Sequence, residues 1–174
     1  YFLMENKVAT KVLLDEGGLN VPTGTSFNNI EDAKAFYASL PNKAIVVKPK
    51  NTNYGLGITI FRDKPDQDDY NDALSFAYKE DHTVLVEEYI EGTELRFYIQ
   101  DNKTMAIVER RPAHVIGDGS STISELIDEV NKNPLRGRDH KAPLTIIEKG
   151  RIETLQLKNY GYTHPQCQNA SVEF

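Results

Sequence analysis

One stretch constrains the fold more than any other: Ala44-Ile45-Val46-Val47-Lys48-Pro49, the loop 51–57, then Ile58-Thr59-Ile60-Phe61. Both flanks are rich in β-branched residues and read as strands. The connection Asn51-Thr52-Asn53-Tyr54-Gly55-Leu56-Gly57 holds seven residues, whereas a hairpin needs only about two to five. The strand–loop–strand setting excludes a phosphate site built on a helix N-terminus. Neither Gly-x-Gly-x-x-Gly nor Gly-x-x-x-x-Gly-Lys-Ser/Thr occurs. Two readings remain. The loop is a flexible flap whose glycines let backbone N–H groups approach phosphate oxygens, or it is a plain hairpin with a glycine turn. Lys48 is correspondingly a compact positive charge aimed along the sheet at a phosphate, or a solvated edge-strand lysine.

The rest of the chain alternates helices and strands. A helix is predicted over 6–16, with Val8, Ala9, Val12 and Leu13 as its apolar face and Gly17-Gly18 as its end. Asn29 caps a second helix, with Glu31 and Asp32 in its first turn and Ala33, Phe36, Tyr37 and Leu40 facing inward. A third runs over 66–79 with Tyr70, Leu74, Ala77 and Tyr78 on one side. Residues 83–90 form a strand ending in acid, and 94–100 and 105–110 form a hairpin around Asp101-Asn102-Lys103. Thr122 with Glu125 makes a capping box that opens a helix to about Asn131. Residues 135–141 are basic and irregular, and a last helix spans 148–160 with Gly161 as its cap. Hairpins imply antiparallel pairing, so the fold class is α+β, or mixed α/β, in two lobes with flanking helices. The expected divisions are an entry helix and linker over 1–24, a small lobe with the flap over 25–90, and an incomplete C-terminal lobe over 91–174.

Further chemistry is concentrated in acids and arginines. Glu87 and Glu88 close an apolar strand, Tyr89-Ile90 follow, and Glu94 lies four residues beyond Ile90. Such acids suit a purine nucleoside: one carboxylate accepts from an amino group, a backbone N–H meets the ring, and another carboxylate holds ribose hydroxyls. A solvated acidic turn is the simpler alternative. Neighbouring strand residues face opposite sides, so Arg110 and Arg111 have different roles. Arg96 or Arg110 could hold a phosphate or carboxylate bidentately, or serve as surface arginines paired with Glu94 or Glu109. His82, His114, His140 and His164 are scattered, share no metal-ligand spacing with Cys167, and so argue against zinc. No Gly-x-Ser-x-Gly occurs.

Composition narrows the classes. Lys and Arg number 20 and Asp and Glu 26, a net charge of −6. That balance gives no general attraction to nucleic acid. No apolar run reaches the roughly 20 residues of a membrane helix. A lone cysteine and no visible signal peptide predict a reducing, cytoplasmic setting. A chain opening at Tyr1 reads as a piece of something longer.

Taken together, Asn6-Lys7, Val47-Lys48-Pro49, Asn53-Tyr54-Gly55-Leu56-Gly57, Val86-Glu87-Glu88-Tyr89-Ile90 and Gly92-Thr93-Glu94-Leu95-Arg96 resemble the ATP-grasp superfamily in order and spacing. Arg110-Arg111-Pro112, Gly117-Asp118-Gly119 and Asn133-Pro134-Leu135-Arg136-Gly137 are similar to the branch holding cyanophycin synthetase and the bacterial glutathione synthetase fused behind a glutamate–cysteine ligase. Residues 46–58 look most like the fused enzyme. The resemblance covers about residues 4 to 163. It implies that Lys7 and Lys48 contact ATP phosphates or the adenine edge, and that the flap, with Asn53, Gly55 and Gly57, covers the phosphates. Glu87 would accept from the adenine amino group, beside Glu88 and the Tyr89–Ile90 backbone. Glu94 would bind ribose, while Arg96 and Arg110 would face phosphate or acyl-phosphate as the catalytic pair. The implied reaction is ATP-dependent amide formation from γ-glutamylcysteine and glycine, with Mg²⁺ in the complete enzyme and a fused upstream ligase domain. A cyanophycin synthetase or D-alanine–D-alanine ligase relative, and a non-catalytic nucleotide-binding module, are the rivals. The family's metal-binding acids sit in a late strand with a Glu-x-Asn pattern. The chain is read as having no such pattern after Arg110, so the ligands are expected beyond this chain and residues 1–174 alone are expected to be inactive.

Overall fold

The computed structural model describes residues 6–52, 55–138, 141–159 and 171–173. The chain divides into two compact units, Tyr1–Ile90 with Thr154–Tyr160, and Glu91–Glu153 with Gly161–Phe174.

The first unit opens with α1 (Lys7–Glu16), capped by Asn6, whose side-chain oxygen accepts from the N–H groups of Val8 and Ala9 at 3.1 Å each. Then come β1 (Gly24–Phe27), α2 (Ile30–Ala35), a 3₁₀ turn (Phe36–Ser39), β2 (Ile45–Pro49), β3 (Thr59–Phe61), α3 (Gln67–Glu80) and β4 (Val84–Glu88). The strands form one antiparallel sheet in the order β1-β4-β2-β3. Alternation in β2 buries Ile45, Val47 and Pro49 and leaves Val46 and Lys48 half-buried on the other face. The buried set packs against α3, which buries Tyr70, Ala73, Leu74 and Ala77 and packs in turn against α2 with its buried Ala33. Two phenols pin these helices: Tyr70 donates to the Ala33 carbonyl at 2.9 Å and Tyr78 to that of Phe27 at 3.1 Å. Burial pushes both phenols' pKa up.

Three expectations shift. The helix capped by Asn29 tightens to 3₁₀ after Ala35. The strand expected over 83–90 ends at Glu88, where the Tyr89 N–H turns to the Ala44 carbonyl. Most tellingly, Val12 and Leu13 on α1 are more than half exposed. The helix is held instead through Lys7 and Lys11, because the groups that meet it are a carboxylate and loop carbonyls.

The second unit contains β5 (Glu94–Gln100), β6 (Lys103–Arg110), β7 (His114–Ile116), α4 (Ile123–Asn131), β8 (Arg136–Gly137), β9 (Leu144–Thr145), α5 (Arg151–Asn159, continuing into the first unit from Thr154) and β10 (Ser171–Glu173). Strands β5 and β6 are a hairpin closed by Asp101 and Asn102, both at positive φ (49° and 59°). That two-residue turn fits the twist of the strands and lets β6 begin at Lys103 rather than 105. The Thr122–Glu125 capping box is present, and α4 buries Ile123 and Ile127 with Val115 of β7 nearby. The basic stretch after 135 contains β8, paired in parallel with β9. The last helix starts at Arg151 rather than 148, and Gly161 and Cys167 lie outside the described residues. Among the described residues no helix is long and apolar enough to cross a membrane.

Candidate functional site

Antiparallel register assembles the site on the sheet face opposite α3. Val46 lies across from Glu87 and Lys48 across from Leu85, so Lys48 and Glu87 are diagonal neighbours on one face. Gly24 lies across from Glu87 on the other side. The Glu87 side chain is only 2% exposed. Its Oε2 meets Lys48 Nζ at 2.5 Å and its Oε1 meets Lys11 Nζ at 2.8 Å. Two ammonium groups on one carboxylate offset the desolvation that a lone buried charge would carry. Gly24 makes this possible: a Cβ there would stand 2.4 Å from the Val86 carbonyl oxygen and 2.6 Å from Glu87 Cγ.

Lys7 and Lys11 are one helical turn apart on α1 and therefore share a side. Lys7 Nζ donates to the carbonyls of Thr52 at 2.9 Å and Lys50 at 3.3 Å, at the root of the loop. Burial and then the Lys48 charge lower the Lys7 pKa, against the attraction of Asp81 and Glu87. The face thus gathers three lysines around one buried acid, a net positive patch suited to a polyanion. Asn51 fixes the loop root, donating through its backbone N–H at 2.8 Å and its side chain at 3.0 Å to Asp81 Oδ2. At the other end Gly55 and Gly57 have φ of 78° and 69°, a region that favours glycine. A Cβ on Gly57 would also come within 2.9 Å of Pro49 Cγ and Glu80 Cγ. Asn53 and Tyr54 lie outside the described residues.

The structure separates other residues that the sequence groups together. Glu88 points to the opposite face from Glu87, accepting from the Thr23 N–H at 2.8 Å and Lys43 Nζ at 2.6 Å. Those bonds, Lys43 first, lower its carboxyl to about 2. The Arg62 guanidinium stacks 4.8 Å from the Tyr89 ring centre, and Ile90 is exposed. In the second unit the β5–β6 register places Glu94 across from Arg110 and Arg96 across from Val108, so the three share a face. Arg110 pairs with Glu94 at 2.7 Å and Arg111 with Glu109 at 2.7 Å. Contrary to the reading above, Glu-x-Asn does occur after Arg110, at Glu129-Val130-Asn131. It lies in helix α4, where Glu129 pairs with Lys132 and Asn131 brackets the Ile147 backbone. Among the described residues no three His, Cys, Asp or Glu side chains converge on a metal position. Glu87 is committed to two lysines. Lys11 is the site residue that sequence reading missed; the signal was the Lys-x-x-x-Lys spacing on a capped helix.

A long glycine-bearing loop between β2 and β3, a lysine-rich sheet face and a buried Glu87 on β4 thus lie together in the first unit. Residues 5–120 match the phosphoribosylglycinamide synthetase ATP-grasp (A) domain family, and the chain belongs to the ATP-grasp family. It is 51% identical over 160 residues to the glutathione biosynthesis bifunctional protein GshAB of Streptococcus mutans, covering 92% of this chain and 21% of that protein. The GshAB of Enterococcus faecalis is 48% identical over 161 residues, with the same coverage. The chain spans about a fifth of the length of these relatives. Among solved structures, the bifunctional glutathione synthetase from Pasteurella multocida is 43% identical over 99% of this chain and 24% of its own, with a TM-score of 0.43. The D-alanine–D-alanine ligase from Bacillus anthracis is 22% identical over 75% of this chain and 46% of its own, with a TM-score of 0.50, a likeness of fold.

Proposed function

We propose that the first unit binds ATP in the service of a carboxylate–amine ligase, and that the protein carrying this chain joins γ-glutamylcysteine to glycine. The observation that carries the proposal is the convergence of Lys7, Lys11 and Lys48 beside a glycine-bearing loop on the face that also buries Glu87. Lysine ammonium groups and loop N–H groups supply the positive potential a triphosphate needs. Near-identity of half the residues with GshAB relatives favours glutathione among the products.

In this reading Lys7 and Lys48 take phosphate oxygens, and residues 51–57 with Asn53, Gly55 and Gly57 cover them. Glu87 accepts from the adenine amino group. Beyond the β4 ladder, the Tyr89–Ile90 backbone meets the ring. Glu94 is assigned the ribose, and Arg96 and Arg110 the anionic oxygens of phosphate or acyl-phosphate; these three assignments rest on motif order. The γ-phosphoryl group passes from ATP to an oxygen of the γ-glutamylcysteine carboxylate, and ADP leaves. The glycine amine attacks the acyl carbon, phosphate departs, and the amine gives up a proton. Fixed positive charge stabilises the transferring group. A fused glutamate–cysteine ligase and a cytoplasmic setting belong to the same proposal.

The test is phosphate release by the full-length protein. Release requiring both γ-glutamylcysteine and glycine is expected. Release with D-alanine alone would assign the chain to a D-alanine–D-alanine ligase relative, and nucleotide binding without release under any condition would make it a binding module.

A further inference from the structure

We infer that Lys11 is the positioning residue that fixes the site's preference for a 6-aminopurine, by holding Glu87 aimed at the base when a bound phosphate draws on Lys48. The inference rests on the nucleotide reading above. Glu87 has two oxygens and two cations: Lys11 on Oε1, Lys48 on Oε2. An ammonium has three N–H donors but a single charge, so a bound phosphate competes with Glu87 for Lys48 and weakens its hold on Oε2. That oxygen then becomes the acceptor for the base. The Glu87 side chain is almost wholly buried, and a buried charge needs a partner to hold it.

Lys11 removes that conflict. It reaches Glu87 from α1, a different element from the one that carries Lys48, and its Nζ sits on the oxygen that the base does not need. Lys7 on the same helix holds the loop root through the Lys50 and Thr52 carbonyls, so it does not substitute. Gly24 closes the remaining side, where a Cβ would displace Glu87 Cγ. With Lys11 in place a counter-charge stays on the acceptor from the side away from the base, and charge-assisted hydrogen bonds are the stronger ones. A 6-oxo purine presents its own oxygen there and is repelled; a purine lacking the 6-amino group leaves Oε2 unmatched.

The experiment is a calorimetric titration of the protein with ATP and with purine riboside triphosphate, which differs only by the missing amino group. Wild-type should prefer ATP by roughly tenfold or more, the scale of one charged hydrogen bond. K11M should lose ATP affinity by about tenfold and narrow the preference below about threefold, and K11R should restore both. K11Q, which keeps a donor without the charge, should behave as K11M and serves in its place if K11M does not fold. A merely structural role for Lys11 would weaken both nucleotides and leave their ratio unchanged. Retention of the wild-type ratio in K11M or K11Q, or failure of K11R to restore it, overturns the inference while leaving ATP binding intact. Absence of ATP binding by wild-type overturns the nucleotide reading itself.

Discussion

Glu87 and Glu88 are neighbours in sequence and opposites in environment. Strand alternation sends Glu87 to the lysine face and Glu88 toward Lys43 and Thr23. Sequence reasoning named both for the nucleoside. It applied alternation to Arg110 and Arg111 but not to this pair, although the rule is the same. Glu88 gives a stability prediction with a defined sign. Its carboxyl is lowered from 4.5 to about 2 in the folded chain, so the folded state favours the ionised form. That contribution is fully present above about pH 4.5 and is lost as pH falls toward 2. Urea midpoints measured between pH 5 and 2 should therefore fall less steeply in Glu88→Gln than in wild-type. Equal slopes would show that the Lys43 and Thr23 contacts do not hold in solution.

At the scale of elements, caps and turns were the most legible features, because they are written in two or three adjacent residues. Asn29 and the Thr122–Glu125 box sit where they were read, while Asn6, read as the first helical residue, is the cap itself. The flap root was legible for the same reason: two glycines at positive φ and a loop too long for a hairpin. The role of α1 was not. Its apolar residues read as a core face, yet the helix docks by its lysines. Which side of a helix meets the protein depends on what the sheet presents, here a carboxylate contributed 76 positions away, and one sequence does not show that. If α1 exists to deliver Lys7 and Lys11, its cap matters to the site. Asn6→Ala removes the acceptor of two N–H groups and should cost about 1 kcal/mol of local helix stability. Amide exchange at Val8 and Ala9 should quicken accordingly, with ATP affinity reduced although Asn6 touches no proposed ligand group. Unchanged exchange would mean that Lys7 and Lys11 anchor the helix without the cap.

For the molecule as a whole, the two units differ in how they use their surface. The first buries both faces of β4 and carries the assembled cation cluster. The second holds a hairpin whose every residue is exposed, with Glu94 and Arg110 engaged with each other. The α+β class and antiparallel pairing followed from the run of short β-branched segments and turns, and the family from the order of its motifs. The proposed function depends on ATP binding at the Lys48 face of the first unit, and Lys48 is the residue whose removal speaks to it most directly. Calorimetric titration of wild-type and Lys48→Ala protein with ATP should show the variant weaker by about 1.5–3 kcal/mol, the scale of a charged hydrogen bond, with folding confirmed by circular dichroism. Equal affinities in the two proteins would place the nucleotide elsewhere and contradict the account.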